Sequence, residues 1–163
     1  NITLPNSGEI GSLSYSHVIA VDTTPPYITG VKSTYPNGTY TVGATIGVGV
    51  EFSAPVVVRG SATCNGSPVL LMDASGGMGD ANATYAKGNG TSKLVFAYEV
   101  GDGDGSSRLD YTSTTALFAP GEAILRASTS PITPADLALP RKGAVGSFGW
   151  SSDILVDSTA IFV

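Results

Sequence analysis

The clearest hydrophobic pattern in this chain is a strict alternation over residues 41–52. Every second side chain there is apolar, and these positions are Val42, Ala44, Ile46, Val48, Val50 and Phe52. Successive side chains of a strand point to opposite faces, so a period of two predicts a half-buried β-strand. Gly43, Gly47 and Gly49 leave the other face nearly bare, which favours close packing of a neighbouring copy over a ligand groove.

Shorter apolar runs, separated by Gly, Pro and Asn, continue along the rest of the chain. They predict strands at 27–32, 56–58, 69–72, 84–87, 93–100, 109–111, 116–118, 123–125, 137–139 and 154–156. Gly30 is a candidate bulge, Pro55 is expected to break the long strand before an edge segment, and residues 130–136 have room for one helical turn. Strands at this spacing indicate an all-β fold, an antiparallel sandwich.

Two segments of the chain repeat one another at a constant offset of 135 residues, the separation of Val21 from Val156. The other matches are Leu4-Pro5 with Leu139-Pro140, Gly8 with Gly143, Gly11-Ser12 with Gly146-Ser147, Leu13 with Phe148, Tyr15 with Trp150, Ile19 with Ile154, and Asp22 with Asp157. A fixed offset with matching chemical type is typical of tandem duplication.

The duplication predicts three parts of the chain. Residues 1–21 are the closing strands of a preceding repeat or a strand donated to a neighbour, 22–157 form one complete repeat, and 158–163 begin the next. Pro25 and Pro26 restrict the backbone after the first part and predict a stiff connector.

Composition narrows the class of protein. The chain has 163 residues and a net charge of −5 without a basic run, which disfavours nucleic-acid binding. No apolar stretch approaches the roughly 18 residues of a membrane-spanning helix. The lack of an initiator Met and of a signal-peptide pattern indicates a processed chain or an excerpt. Cys64 is the single cysteine, expected to be a half-buried thiol or an intermolecular link.

Five Asn-X-Ser/Thr sequons predict an extracellular location. They lie at Asn1, Asn37, Asn65, Asn82 and Asn89. Such sequons accept N-linked glycans on the surface of secreted proteins. Pro68 weakens the sequon at Asn65, and the Asn-Gly dipeptides at 37 and 89 are also natural hairpin turns.

Acidic residues at two kinds of position are the candidate metal ligands. Asp102 and Asp104 stand two apart in a Gly-rich loop, and Asp22 and Asp157 occupy equivalent junctions. Ca²⁺ accepts about six to eight oxygens from flexible acidic loops, so Ca²⁺ is the candidate cofactor beside N-linked glycans. The competing interpretation is a solvated turn at 102–104 and an Asx-type turn at each junction.

No constellation of residues predicts catalysis. His17 is the single histidine, and its repeat counterpart is Ser152, which argues against a positioned catalytic imidazole. The loop at 101–105 lacks the Gly-Lys-Ser/Thr of a phosphate loop. Tyr15 and Trp150 match across the copies, which favours core or interface aromatics over sugar stacking. The protein is therefore predicted not to be an enzyme.

The ordered series of motifs resembles a known type of repeat. The series comprises Val21-Asp22-Thr23-Thr24-Pro25-Pro26, residues 45–52 with Pro55-Val56, then 83–85, 94–100, 109–111, Ser113, Ala116, Leu117, 137–140 and 146–147. It is similar to the long immunoglobulin-like or cadherin-like repeat of giant bacterial adhesins and large algal surface or mastigoneme-type fibre proteins, whose junctions carry Asp-Thr-Thr-Ala-Pro. The resemblance implies an immunoglobulin-like β-sandwich with an extracellular, non-catalytic spacer or fibre role. The second junction, at residues 157–161, departs from the pattern because it lacks prolines.

The sequence thus predicts a structural module of an extracellular, glycosylated filament or surface fibre. Neighbouring copies of the same repeat or subunit would associate head to tail through their terminal strands. The residues expected at that interface are Leu4, Ile10, Leu13, Tyr15, Val18, Ile19, Ile161, Phe162 and Val163. The alternative is a calcium-dependent adhesion module that binds carbohydrate or another cell surface.

Overall fold

The computed structural model describes residues 3–17, 22–59, 66–74, 81–121, 123–127 and 132–159. In chain order the elements are α1 (Leu13–Ser16), β1 (Ile28–Ser33), β2 (Gly38–Tyr40), β3 (Thr45–Val58), β4 (Val69–Met72), β5 (Ala81–Lys87), β6 (Thr91–Glu99), β7 (Gly105–Ser106), β8 (Leu117–Phe118), β9 (Ile124–Arg126), α2 (Phe148–Ser151) and β10 (Ile154–Asp157). The fold is all-β, as predicted, with helix limited to two single turns in the described ranges.

The strands form two sheets. The larger sheet has seven strands in the order β1-β3-β6-β5-β4-β8, with β9 paired to the far end of β3, and it curls into a half-barrel. All of its pairs are antiparallel. The smaller sheet has the order β2-β10-β7, in which β10 runs parallel to β2 and antiparallel to β7. The last strand therefore lies between two short strands from the first and middle parts of the chain.

The core is built on one face of the two central strands, β3 and β6. Inward side chains lie opposite one another across these strands in three pairs: Ile46 with Tyr98, Val48 with Phe96, and Val50 with Leu94. All six are buried. Cross-strand pairs of large apolar residues stabilise a sheet by roughly 0.2–1 kcal/mol each beyond alanine. The alternation in the sequence thus decides which face of β3 turns inward.

β3 differs from the prediction at both ends. It begins at Thr45, and Val42 is exposed in the preceding turn. It also continues through Pro55, so the predicted break is wrong. A register shift between Glu51 and Val56 accommodates the proline, which lacks an N–H to donate. The segment after the shift pairs with β9, so the prediction that it forms a sheet edge is wrong as well.

The bare face of β3 is covered from within the chain. A Cβ on Gly47 would lie 2.1 Å from Thr34 Oγ1 and 2.8 Å from the ring of Tyr35. A Cβ on Gly49 would lie 2.6 Å from Cε of Lys93. The two glycines make room for these three side chains. The expected packing of a neighbouring copy on this face is therefore wrong at Gly47 and Gly49.

The shorter predicted strands had mixed outcomes. β4 has the predicted bounds, the hairpin of β5 and β6 forms around residues 88–90, and a register shift between Ile28 and Gly30 confirms the bulge in β1. Residues 109–111 and 137–139 form no strand. Tyr111 makes an isolated bridge to Met72, and Leu139 N–H donates to Thr114 O. The possible helical turn within 130–136 is absent from residues 132–136, the part that is described.

Candidate interface between repeat units

The two segments that match in sequence also share one backbone conformation. Residues 7–17 and 142–152 pass through the same succession of turns and each contains a one-turn helix, α1 or α2, at the matching position. The residues before these helices, Ser12 and Ser147, have φ and ψ of −78° and 153°, and of −73° and 162°. The duplication inferred from sequence is therefore a duplication of structure.

The matching residues explain why both segments fold alike. Glycines of positive φ recur at the same places, Gly8 and Gly143 (87° and 73°), then Gly11 and Gly146 (89° and 88°). Only glycine adopts this backbone without a steric cost. A Cβ on Gly11 would lie 3.5 Å from Cγ of Pro5, and one on Gly146 would lie 3.4 Å from Cγ of Pro140. Each turn is thus specified by residues inside its own copy.

The two copies differ in what covers them. Phe148 and Leu139 are 0% and 4% exposed, whereas their counterparts Leu13 and Leu4 are 69% and 86% exposed. Trp150 and Tyr15, by contrast, are exposed alike, at 58% and 59%. We call residues 138–157 the closing segment and residues 3–17 the N-terminal copy. The closing segment is packed into the repeat unit, while no described residue covers the apolar side chains of the N-terminal copy.

Hydrogen bonds hold the closing segment to the rest of the unit along its length. They join Val31 N–H to Gly146 O (2.8 Å), Ser33 N–H to Ser152 Oγ (2.7 Å), Leu139 N–H to Thr114 O (2.9 Å), Leu109 N–H to Ile154 O (2.8 Å) and the hydroxyl of Tyr111 to Pro140 O (2.5 Å). We call the surface that contacts the closing segment, made by β1, Asp73 and residues 109–114, the closing groove. The strand β10 then completes the smaller sheet.

Asp110 is the buried charge of the closing groove. Its Oδ1 accepts from Tyr111 N–H at 2.9 Å, and its Oδ2 accepts from Gly143 N–H at 3.0 Å. A Cβ at Gly149 would lie only 2.8 Å from that Oδ2. Burial, and the negative charge of Asp110, raise the pKa of the Tyr111 hydroxyl, which keeps its proton for Pro140 O. The carboxylate thus fixes the turn of the closing segment and requires glycine at 149.

Arg126 binds the connector to the repeat unit. From β9 its guanidinium donates to Thr24 O at 2.7 Å and to Asp22 Oδ2 at 2.5 Å, while Asp22 Oδ1 accepts from Thr24 N–H at 3.0 Å. The Arg126 guanidinium, followed by the Thr24 amide, holds the pKa of Asp22 well below its usual range. The candidate calcium ligand at this junction therefore sits in an Asx-type turn with a cationic partner. The contact with Arg126 restrains the connector in addition to Pro25 and Pro26, from which its stiffness is predicted.

Asp157 repeats half of this arrangement. Its Oδ1 accepts from the N–H of Thr159 at 3.0 Å and from its hydroxyl at 2.5 Å, and these bonds lower the pKa of Asp157. Among the described residues no Lys, Arg or His pairs with its carboxylate. The second junction therefore has the turn of the first without its arginine.

The acidic loop at residues 101–105 is held by hydrogen bonds to Asp104. Asp104 Oδ2 accepts from the Tyr98 hydroxyl at 2.7 Å and from Gly101 N–H at 2.8 Å, and Asp102 is exposed. Burial, then the bond and charge of Asp104, raise the pKa of Tyr98. Within the described ranges, no three His, Cys, Asp or Glu side chains come together as metal ligands would. A Ca²⁺ site at Asp102 and Asp104 stays a prediction.

The described sequons lie on the surface. Asn37, Asn82 and Asn89 are exposed, in the turn before β2, in β5 and in the β5–β6 turn. The side-chain oxygen of Asn37 accepts from Asp153 N–H at 3.1 Å, and that of Asn89 from Val58 N–H at 2.8 Å. These bonds involve the side-chain oxygens, whereas a glycan is attached at the amide nitrogen. Asn1 and Asn65 lie outside the described residues, as does Cys64.

The predicted interface residues fall into two groups. Leu4, Ile10, Leu13 and Tyr15 are all exposed in the N-terminal copy. The others, Val18, Ile19, Ile161, Phe162 and Val163, lie outside the described residues. Residues 3–17 contain a helical turn and no strand. The sequence counterpart of β10 is 19–22, of which 19–21 lie outside the described residues, so the predicted closing strands of 1–21 stay a prediction.

Comparison of the chain with protein-family models, with curated proteins and with solved structures finds no match. In the described part of the chain, no helix has the length and apolar character needed to cross a membrane.

Proposed function

We propose that the protein is a non-catalytic structural module of an extracellular, glycosylated filament or surface fibre, whose units associate head to tail through their terminal segments. One observation carries this proposal. The same segment occurs twice, packed into the closing groove at 138–152 and uncovered at 3–17. A unit with a bound copy on one side and an unbound copy on the other has the polarity of a linear assembly.

The all-β fold supports an immunoglobulin-like or cadherin-like kind of repeat. Two mostly antiparallel sheets share the buried core, and the last strand of the unit completes the smaller one. The Arg126 contact supports a spacer role, because a connector held by Asp22 and Thr24 transmits orientation from one unit to the next. Three exposed sequons support the extracellular location.

The chemistry of the closing groove supports a structural role over a catalytic one. Asp110 is the one buried carboxylate among the described residues, and both of its oxygens accept backbone N–H bonds. A carboxylate whose two oxygens both accept backbone N–H bonds positions a segment of chain.

Electron microscopy of the native material tests the proposal. We expect filaments with a near-constant axial rise, with additional density at Asn37, Asn82 and Asn89 on their outer surface. Discrete particles without contacts between units would contradict the fibre, and smooth density at all three asparagines would contradict the glycosylation.

A further inference from the structure

The turn glycine of each copy donates its N–H to a different partner. In the closing segment, Gly143 N–H donates to Asp110 Oδ2. In the N-terminal copy, Gly8 N–H donates to Ser14 Oγ at 2.8 Å and to Ser12 Oγ at 3.2 Å. Ser14 occupies the position of Gly149 in the other copy. Its hydroxyl therefore does within the N-terminal copy what the Asp110 carboxylate does from the closing groove.

Ser14 is incompatible with a groove that contains an aspartate at this place. A Cβ at 149 would lie 2.8 Å from Oδ2, 3.2 Å from Cγ and 3.3 Å from Cβ of Asp110. Asp110 is buried and its Oδ1 is bonded to Tyr111 N–H, so a shift of the carboxylate would disturb that bond. A serine seated there would clash with the carboxylate and displace it from Gly143 N–H.

Two further positions that meet the groove also differ between the copies. Lys142 pairs with Asp73, whereas its counterpart Ser7 carries no charge. Ser152 is buried and its hydroxyl accepts from Ser33 N–H, whereas its counterpart is the larger His17. The N-terminal copy thus keeps the fold of the closing segment but not its complementarity to this particular groove.

The closing groove of this unit is, moreover, already occupied. The closing segment belongs to the same chain, and a tethered segment competes at an effective concentration on the order of millimolar. A copy arriving from another molecule would have to displace it with a poorer fit. The N-terminal copy still presents the apolar anchors that such a groove takes, Leu4 and Leu13, in the matching conformation.

We infer that residues 3–17 are the closing segment of a second, non-identical repeat unit on their N-terminal side. In that unit a small, uncharged residue occupies the position of Asp110, and Leu13 fills the pocket that Phe148 fills here. This inference rests on the proposed head-to-tail function and specifies its partner. The partner is a unit of the same fold whose groove accommodates Ser14 of this chain.

A double-mutant cycle in the full chain tests the exclusion between serine and aspartate. The variants are Gly149→Ser, Asp110→Ala and the two combined, with thermal unfolding followed by circular dichroism. We expect Gly149→Ser to lower Tm by several degrees in the natural background. In the Asp110→Ala background the same change should leave Tm unchanged or raise it, because the serine hydroxyl then takes the Gly143 N–H. An equal loss in both backgrounds would overturn the inference.

A two-unit chain tests the docking itself. Residues 22–135 are placed directly before residue 1 of the full chain, so that residues 3–17 follow a repeat unit at the natural offset. Two versions are compared, with Asp110 kept or with Asp110→Ala in the upstream unit alone. Both versions carry His17→Ser, so that only position 110 varies. Amide NMR spectra and calorimetric enthalpy report how many units are folded.

We expect a second folded unit in the Asp110→Ala version only. There, Leu13→Asp should unfold the upstream unit, while Tyr15→Asp, whose counterpart is exposed in the closing segment, should leave it folded. An upstream unit that folds in both versions would overturn the exclusion between Ser14 and Asp110. An upstream unit that folds in neither version would overturn the docking of residues 3–17. Either failure leaves the fibre itself to be decided by microscopy of native material, so the two proposals fail separately.

Discussion

Replacing Phe148 and Leu13 by alanine compares the two copies within one molecule. Phe148 is fully buried in the closing segment, and a buried phenylalanine removes about 150 Å² or more from water, which at about 25 cal/mol per Å² is about 4 kcal/mol. Measured costs for Phe→Ala in protein cores, about 3–5 kcal/mol, agree with this figure. Leu13 occupies the matching position but is 69% exposed, so its truncation should change the free energy of unfolding by less than about 0.5 kcal/mol.

Urea denaturation and differential scanning calorimetry measure both changes. At about 3 °C per kcal/mol for a chain of this size, Phe148→Ala should lower Tm by roughly 10 °C or more, and Leu13→Ala should leave it within about 2 °C. The unfolding m value should be the same in all three proteins, which controls for a change in the denatured state. Equal losses from the two substitutions would show that Leu13 is packed in the isolated chain. That result would refute the idea that the N-terminal copy lacks a partner.

Three further predictions concern polar contacts. Tyr98→Phe should lower the free energy of unfolding by about 1–2 kcal/mol in chemical denaturation, since it removes the hydrogen bond to Asp104. Because folding raises the pKa of Tyr98, the hydroxyl stabilises the fold below about pH 10, and this contribution is lost as the pH rises further. The variant should therefore lose less stability at alkaline pH than the wild type. Arg126→Ala should raise the pKa of Asp22 towards its ordinary 3.8 in a carbon-detected NMR titration, because it removes the guanidinium that is the main cause of the lowered pKa. The lowered pKa favours the folded state above about pH 4, and that benefit is lost as the pH falls. An unchanged titration midpoint would contradict the arginine contact at the junction. Millimolar Ca²⁺ or a chelator should leave Tm unchanged, because Asp104 is bonded to protein donors. A calcium-dependent rise in Tm that Asp102→Asn abolishes would instead support the alternative, a calcium-dependent adhesion module.

The sequence predicts the strands where packing and local pattern agree. β4, β10 and the β5–β6 hairpin are each bounded by turn residues and carry their own apolar face, so their existence follows from local chemistry. The continuation of β3 beyond Pro55 does not follow from local chemistry, because that part of the strand pairs with β9, about 70 residues further along the chain. A local rule that treats proline as a strand break has no information about a bulge that tertiary pairing makes tolerable.

The glycine face of β3 shows the same limit. Alternating glycines correctly indicate that something approaches the strand closely, but not what approaches it. Thr34 and Tyr35 fill the space from the bend after β1 and Lys93 from β6, and their identity depends on the register of β1 and β6. Close packing against this face is confirmed at Gly47 and Gly49, but the predicted source of that packing, a neighbouring copy, is wrong at these positions.

The functional residues of the interface were predicted unevenly. The 135-residue offset identified both copies, yet it revealed neither of the one-turn helices that they contain, because four residues are too few for a helical period to show. Asp110 carried no signal beyond an acidic residue between two apolar ones. Arg126 likewise has nothing in its local sequence to connect it with Asp22, which is 104 residues away. The match between the two copies follows from the sequence, but the closing groove that holds the closing segment does not.

The positions at which the two copies agree and differ separate two physical requirements. The agreeing residues, Pro5, Gly8, Gly11 and Ser12 with their counterparts, set the turns of the segment itself. Three differing positions, 7, 14 and 17, are those whose counterparts in the closing segment meet Asp73, Asp110 and Ser33 of the groove. If the N-terminal copy served an identical groove, these contacts would constrain it as strongly as the turns do. Their change together, with the conformation and the apolar anchors retained, is what a segment acquires when it is fitted to a different repeat unit. The two copies are therefore fitted to two different grooves, the closing segment to the groove of its own unit and the N-terminal copy to that of the inferred second unit.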